Sequence, residues 1–151
     1  MDRQVQIQPT EFNGNTTHRP LALIIENDPK QATIFAGALH QADYRTELVF
    51  DGRTALDRLA TVTPAVVVLD LHLPQVSGVE ILQRLRANQR FNQTRVLLAT
   101  ADIRLAEPLR PQADLVILKP INYGQLRDLV SRLHTRVAET GFPDFSREEK
   151  C

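Results

Sequence analysis

Five consecutive apolar residues, Ala65-Val66-Val67-Val68-Leu69, run without a break into Asp70. The run is too short for an ordinary helix, and three of its five residues are valine. That combination predicts a strand buried on both faces, as in a parallel sheet. The carboxylate then falls where the strand gives way to a loop. Pro74 stiffens that loop, and Ser77 with Glu80 has the spacing of a capping box at the head of the next helix. Ligands of open α/β sheets bind beyond the carboxyl ends of the strands. Asp70 is therefore a functional candidate; the plainer alternative is that it only caps the loop.

The rest of the chain repeats the pattern. Leu21 to Ile25 is apolar and ends in Glu26-Asn27-Asp28. Pro29 suits a first helical position, which makes Asp28 an N-cap, and Ile34, Ala38 and Leu39 carry helical spacing to about His40. Arg45 to Phe50 predicts a short strand with Leu48 and Phe50 on one face, followed by the turn signal Asp51-Gly52. Ala55, Leu56, Leu59 and Ala60 predict a helix over Thr54 to Ala60. Val79, Leu82, Leu85 and Arg86 predict another, running to about Asn88. Arg95 to Ala99 is a fourth run and ends in Thr100-Ala101-Asp102. Pro108 and Pro111 break the segment Ile103 to Ala113, so a short or irregular helix is expected there. Asp114 to Leu118 is a fifth run, ending in Lys119-Pro120. Asn122 and Gln125 form a second capping-box start, and Leu126, Leu129, Val130, Leu133 and Val137 predict a long amphipathic helix.

Strands alternating with helices imply a parallel sheet covered on both faces. The 151 residues are a single-domain length, with the domain expected over 21–138. Residues 1–20 are polar and read as a flexible segment, the alternative being a short edge strand through Val5 and Ile7. Residues 139–151 read as a flexible tail, in which Phe142 and Phe145 either dock on something or are incidental. Zero net charge points to neither nucleic acid nor an anionic membrane surface. No apolar run approaches membrane-spanning length, and the first twenty residues lack a signal-peptide core. Cys151 is the one cysteine, so no intrachain disulfide forms, which suits a cytoplasmic setting. His18, His40 and His134 have no metal-ligand spacing.

Parallel strands would bring Glu26, Asn27 and Asp28, then Asp70, Thr100 and Lys119, to one edge of the sheet. Acids with a hydroxyl and an ammonium suit phosphoryl chemistry. Carboxylates hold Mg²⁺, and the hydroxyl and the lysine donate to phosphoryl oxygens. A carboxylate can also be the nucleophile, giving an aspartyl phosphate; Asp70 fits that role best.

Taken together, the acidic cluster after the first strand, Asp70 with Pro74 four and Gly78 eight residues on, Thr100-Ala101 and Lys119-Pro120 resemble the receiver domain of two-component response regulators, over roughly Leu21 to Val137. The resemblance implies a flavodoxin-like (βα)5 three-layer sandwich with a parallel five-stranded sheet of order 2-1-3-4-5. It implies that Asp70 takes a phosphoryl group from the histidine of a sensor kinase or phosphotransfer protein. Mg²⁺ would be held by Glu26, Asn27, Asp70 and the backbone carbonyl of His72. Thr100 and Lys119 would read the new charge and shift the surface around the fourth helix and fifth strand. The partner is then a separate output protein, with no direct nucleic-acid or membrane contact and with dimer formation left open.

Four features depart from the family pattern. Asn27 stands where the family has a second acid that ligates Mg²⁺, so metal binding is expected to be weakened. Asp28 either compensates or caps the helix. Val116 replaces the usual Tyr or Phe. The Thr100–Lys119 segment is short and holds two prolines. His72 lies at a position that often tunes phosphoryl lifetime, and reads equally as an exposed loop histidine. These departures keep open a pseudo-receiver that binds a partner without phosphorylation. A phosphatase with an aspartyl nucleophile is disfavoured. It would want an acid where His72 stands, and there is neither a cap domain nor a Gly-rich phosphate loop.

Overall fold

The computed structural model describes residues 19–140. Val5, Ile7, His18, Phe142, Phe145 and Cys151, with the expectations placed on them, lie outside those residues. Five strands form one sheet: β1 (Leu21–Ile25), β2 (Arg45–Val49), β3 (Val66–Asp70), β4 (Arg95–Thr100) and β5 (Leu115–Leu118). All pairings are parallel and the order is β2-β1-β3-β4-β5. The helices are α1 (Pro29–Gln41), α2 (Gly52–Leu59), α3 (Gly78–Ala87), α4 (Ile103–Ala106) and α5 (Tyr123–Thr140). This is the flavodoxin-like sandwich expected from the sequence.

The sheet separates two cores, and the alternation of side chains along each strand explains the unbroken apolar runs. Leu23, Ile25, Val67, Leu69, Val96 and Leu98 face Ala55 and Leu59 of α2, Ile81, Leu82 and Leu85 of α3, and Ala106 of α4. Ala22, Ile24, Val66, Val68, Leu97 and Ala99 face Phe35, Ala38 and Leu39 of α1 and Leu126, Val130 and Leu133 of α5.

The caps follow the residues that suggested them. Asp28 accepts from the Lys30 amide (3.0 Å) at the head of α1, and Ser77 accepts from the Glu80 amide (3.2 Å) at the head of α3. Asn122 and Gln125 close a reciprocal box at α5, with 2.8 and 3.5 Å bonds. The segment broken by prolines is indeed irregular: α4 has four residues and passes into a 3-10 stretch, Glu107–Gln112.

β2 ends at Val49, one residue short of the expected Phe50. Leu48 and Phe50 are 36% and 42% exposed, and the residue that enters the core is Val49. β2 is an edge strand, so the side chains flanking Val49 lack the cover a central strand receives. A second 3-10 turn, Gln89–Phe91, was not expected; Asn88 caps it through the Arg90 amide (2.9 Å).

At the end of the sheet opposite Asp70, Arg86 is a polar tie rather than a core position. Its guanidinium donates to the Gln112 and Thr94 carbonyls (2.8 and 3.2 Å) and to Asp114 (3.1 Å). Asp114 also accepts from the Val96 amide (2.7 Å) and lies 3.6 Å from buried Arg95. One carboxylate thus joins α3, β4 and the entry to β5.

Candidate functional site

The strand order fixes the site. β3 lies between β1 and β4, with Leu69 paired to Ile25 and Asp70 to Ala99. Glu26, the residue after β1, is 1% exposed, and Asp70, the last of β3, is 3% exposed. Thr100 ends β4 and is fully buried. Lys119 follows β5, and its amide donates to the Thr100 carbonyl (2.9 Å).

The side chains of Glu26, Asp70 and Lys119 meet. The Lys119 Nζ is 2.9 Å from Glu26 Oε1 and 3.7 Å from Asp70 Oδ2. The other oxygen of each acid takes a backbone amide two residues on: Glu26 Oε2 accepts from Asp28 (3.1 Å), and Asp70 Oδ1 from His72 (3.0 Å). Burial is the first cause that pushes the Glu26 carboxyl above its usual range, and the adjacent Asp70 adds to it. The Lys119 ammonium and the Asp28 amide oppose the shift. One cation therefore compensates two buried carboxylates.

The Thr100 hydroxyl oxygen accepts from the Asp102 amide (3.1 Å), which leaves its own proton to donate. Asn27 and His72 lie exposed at the mouth. Asp28 is engaged as the cap of α1. Val116 is half-buried and packs on the core shared with α2, α3 and α4, an ordinary strand position.

The loop after Asp70 is tied at its base. The Gly78 amide donates to the Leu71 carbonyl (3.3 Å). A Cβ on Gly78 would lie 2.2 Å from the Asp70 carbonyl oxygen, so only glycine lets α3 start this close to the Asp70 backbone. The spacing from Asp70 to Gly78 was visible in the sequence, but the contact behind it was not.

A parallel 2-1-3-4-5 sheet with acids at the ends of β1 and β3 and a lysine after β5 defines the receiver class of α/β signalling modules. Comparison with known proteins agrees. The family model for the response regulator receiver domain matches residues 22–131. The chain is 33% identical over 112 residues to the transcriptional regulatory protein TrcR of Mycobacterium tuberculosis, a match covering 74% of this chain and 42% of TrcR. Among solved structures, it is similar to the signal receiver domain of a LuxO repressor protein from Vibrio parahaemolyticus. There the TM-score is 0.70 at 31% identity, over 80% of this chain and 93% of that one. The receiver domain of DrrB from Thermotoga maritima, in its BeF3-activated form, gives 0.67 at 26% identity, over 78% and 99%. The chain belongs to the response regulator receiver family.

Receiver domains of this family bind Mg²⁺ at the acidic pocket. Here the available donors are all oxygens, the type Mg²⁺ prefers: the carboxylates of Asp70 and Glu26, the Asn27 amide and the His72 carbonyl. Among the described residues no group of three His, Cys, Asp or Glu side chains is placed to hold a metal. The donors fit in kind and are poor in charge. No helix among the described residues is long and apolar enough to cross a membrane.

Proposed function

We propose that Asp70 is the phospho-acceptor of a two-component phosphorelay and that the chain passes the signal to an output protein. The observation that carries this is the Lys119 ammonium, 2.9 Å from Glu26 and 3.7 Å from Asp70. A cation so placed can exchange a carboxylate for a phosphoryl oxygen as charge builds on Asp70.

The step is an in-line transfer. A carboxylate oxygen of Asp70 bonds to phosphorus as the phosphorus–nitrogen bond of a partner's phosphohistidine breaks, and the released imidazole takes up a proton. The product holds about −1.5 to −2 charge at neutral pH. Lys119 pairs with that charge, and the Thr100 hydroxyl donates to a phosphoryl oxygen. The backbone amide of His72 keeps the acceptor carboxylate oriented. Mg²⁺, when bound, neutralises charge on the phosphoryl oxygens; Glu26, Asp70, the Asn27 amide and the His72 carbonyl would hold it. Asn27 supplies no charge, so a higher Mg²⁺ concentration is needed than for a pocket with two adjacent acids. The partners are a sensor histidine kinase or phosphotransfer protein upstream and an output protein downstream, in the cytoplasm.

The test is incubation with acetyl phosphate or beryllofluoride in the presence of Mg²⁺. A phosphoryl mass gain that maps to Asp70, with shifted amide resonances near Thr100 and Lys119, is the expected result. If neither mass nor resonances change, the proposal falls. Partner binding that survives Asp70→Ala unaltered would then identify a binding module independent of phosphorylation.

A further inference from the structure

We propose that Gly52, the first residue of α2, is a positioning residue for the acceptor loop. This rests on the reading of Asp70 as phospho-acceptor. The loop that follows Asp70 is fixed at its base by Gly78 and at its tip by a contact from outside itself. The Pro74 carbonyl accepts from the Val76 amide (2.9 Å), two residues on, and Gln75 between them has φ 74°. This is a γ-turn whose central residue is left-handed without being glycine, a strained arrangement that needs support from its surroundings.

Gly52 supplies that support. Its amide donates to the same Pro74 carbonyl (3.2 Å). A Cβ on Gly52 would meet the Val76 carbonyl oxygen at 2.0 Å and its carbon at 2.8 Å. Those atoms are backbone and cannot rotate aside, so any larger residue must push the turn off α2. The backbone of Gly52 is not itself left-handed, so it is the missing side-chain volume that matters here. Asp51 holds the first turn of α2 in place by accepting from the Thr54 amide (2.7 Å), so the support is itself anchored. Between tip and base lies His72, whose amide holds the Asp70 carboxylate. The tether therefore reaches the acceptor through four residues of loop, Leu71 to Pro74.

The experiment compares Gly52→Ala, Gln75→Val and Gln75→Gly in the full chain, reading the initial rate of Asp70 labelling by acetyl phosphate with Mg²⁺ and the amide exchange of His72 and Val76. Gly52→Ala is expected to slow labelling roughly tenfold or more, the scale of a small misplacement of a reacting group. His72 and Val76 should lose protection while the amides of β1, β3 and β4 keep theirs. Gln75→Val, which resists φ 74° but adds nothing against Gly52, should reproduce both effects and stands in if Gly52→Ala does not fold. Gln75→Gly accepts that φ freely and should keep the parental rate. Parental labelling in folded Gly52→Ala, or in Gln75→Val, overturns the proposal. If the parent chain itself takes no phosphoryl group, the acceptor reading fails. Positioning is then judged on exchange, and His72 protection unchanged in Gly52→Ala overturns it separately.

Discussion

Asn27 contributes an amide at the mouth of a pocket that otherwise holds two buried carboxylates and one ammonium. On the proposed Mg²⁺ site, Asn27→Asp adds a charge beside Glu26 and Asp70, and Mg²⁺ should bind about tenfold more tightly or better, given the size of Coulomb terms at an intermediate dielectric. A metal titration followed by amide resonances of the parent and variant measures it; equal affinities would show that the amide costs nothing. Tyr44 illustrates a different residue-level effect. Burial pushes its phenol up to about 12, with the Arg95 guanidinium opposing. The folded state holds the proton more tightly than the unfolded chain, whose phenol titrates near 10. Stability from this group is therefore complete below about pH 10 and is lost as pH rises towards about 12. In a Tyr123→Phe background, phenolate absorbance should appear together with loss of helical circular dichroism. A phenolate that forms in the folded chain would refute the expectation. The acids, hydroxyl and lysine of the pocket were visible in the sequence because each directly ends an apolar run. Tyr44 gave no such signal, since a lone tyrosine in a polar stretch shows nothing of the space around it.

Elements were legible where burial is two-sided. β1, β3 and β4 are covered on both faces, so their apolar runs are unbroken and their ends sharp. β2, an edge strand, buries only Val49 of its five residues, so its apolar signal is short. Arg86 misled. It sits on the inward side of α3, yet it serves three backbone and carboxylate oxygens contributed from other elements. Its tie to Asp114, 28 residues away, has no local sequence trace. Asp114→Ala should cost about 3 kcal/mol, because it leaves buried Arg95 and the Val96 amide without their carboxylate. Urea unfolding gives the value, and a loss under 1 kcal/mol, about the worth of a surface pair, would mean that the network is dispensable. Ser77→Ala removes one cap from α3 and should cost about 1 kcal/mol by the same measurement.

For the molecule as a whole, the paired acids Glu26 and Asp70 are a liability to stability. Two carboxylates face one ammonium in a buried pocket, and the raised Glu26 titration is a sign of that cost. Asp70→Asn should abolish labelling and at the same time raise metal-free stability by about 1 kcal/mol, as expected where function is kept at the expense of stability. The urea midpoint in chelator reports it; a lower midpoint would show that the acid pair is not strained.

The bond between Lys119 and Glu26 joins residues 93 positions apart. On a ribosome, β1 and β3 emerge long before the lysine that compensates their acids. A nascent chain that has paired its first four strands still holds two uncompensated negative groups at the edge of the sheet. The charge balance at that edge is therefore complete only once the fifth strand docks and brings Lys119 to Glu26 and Asp70.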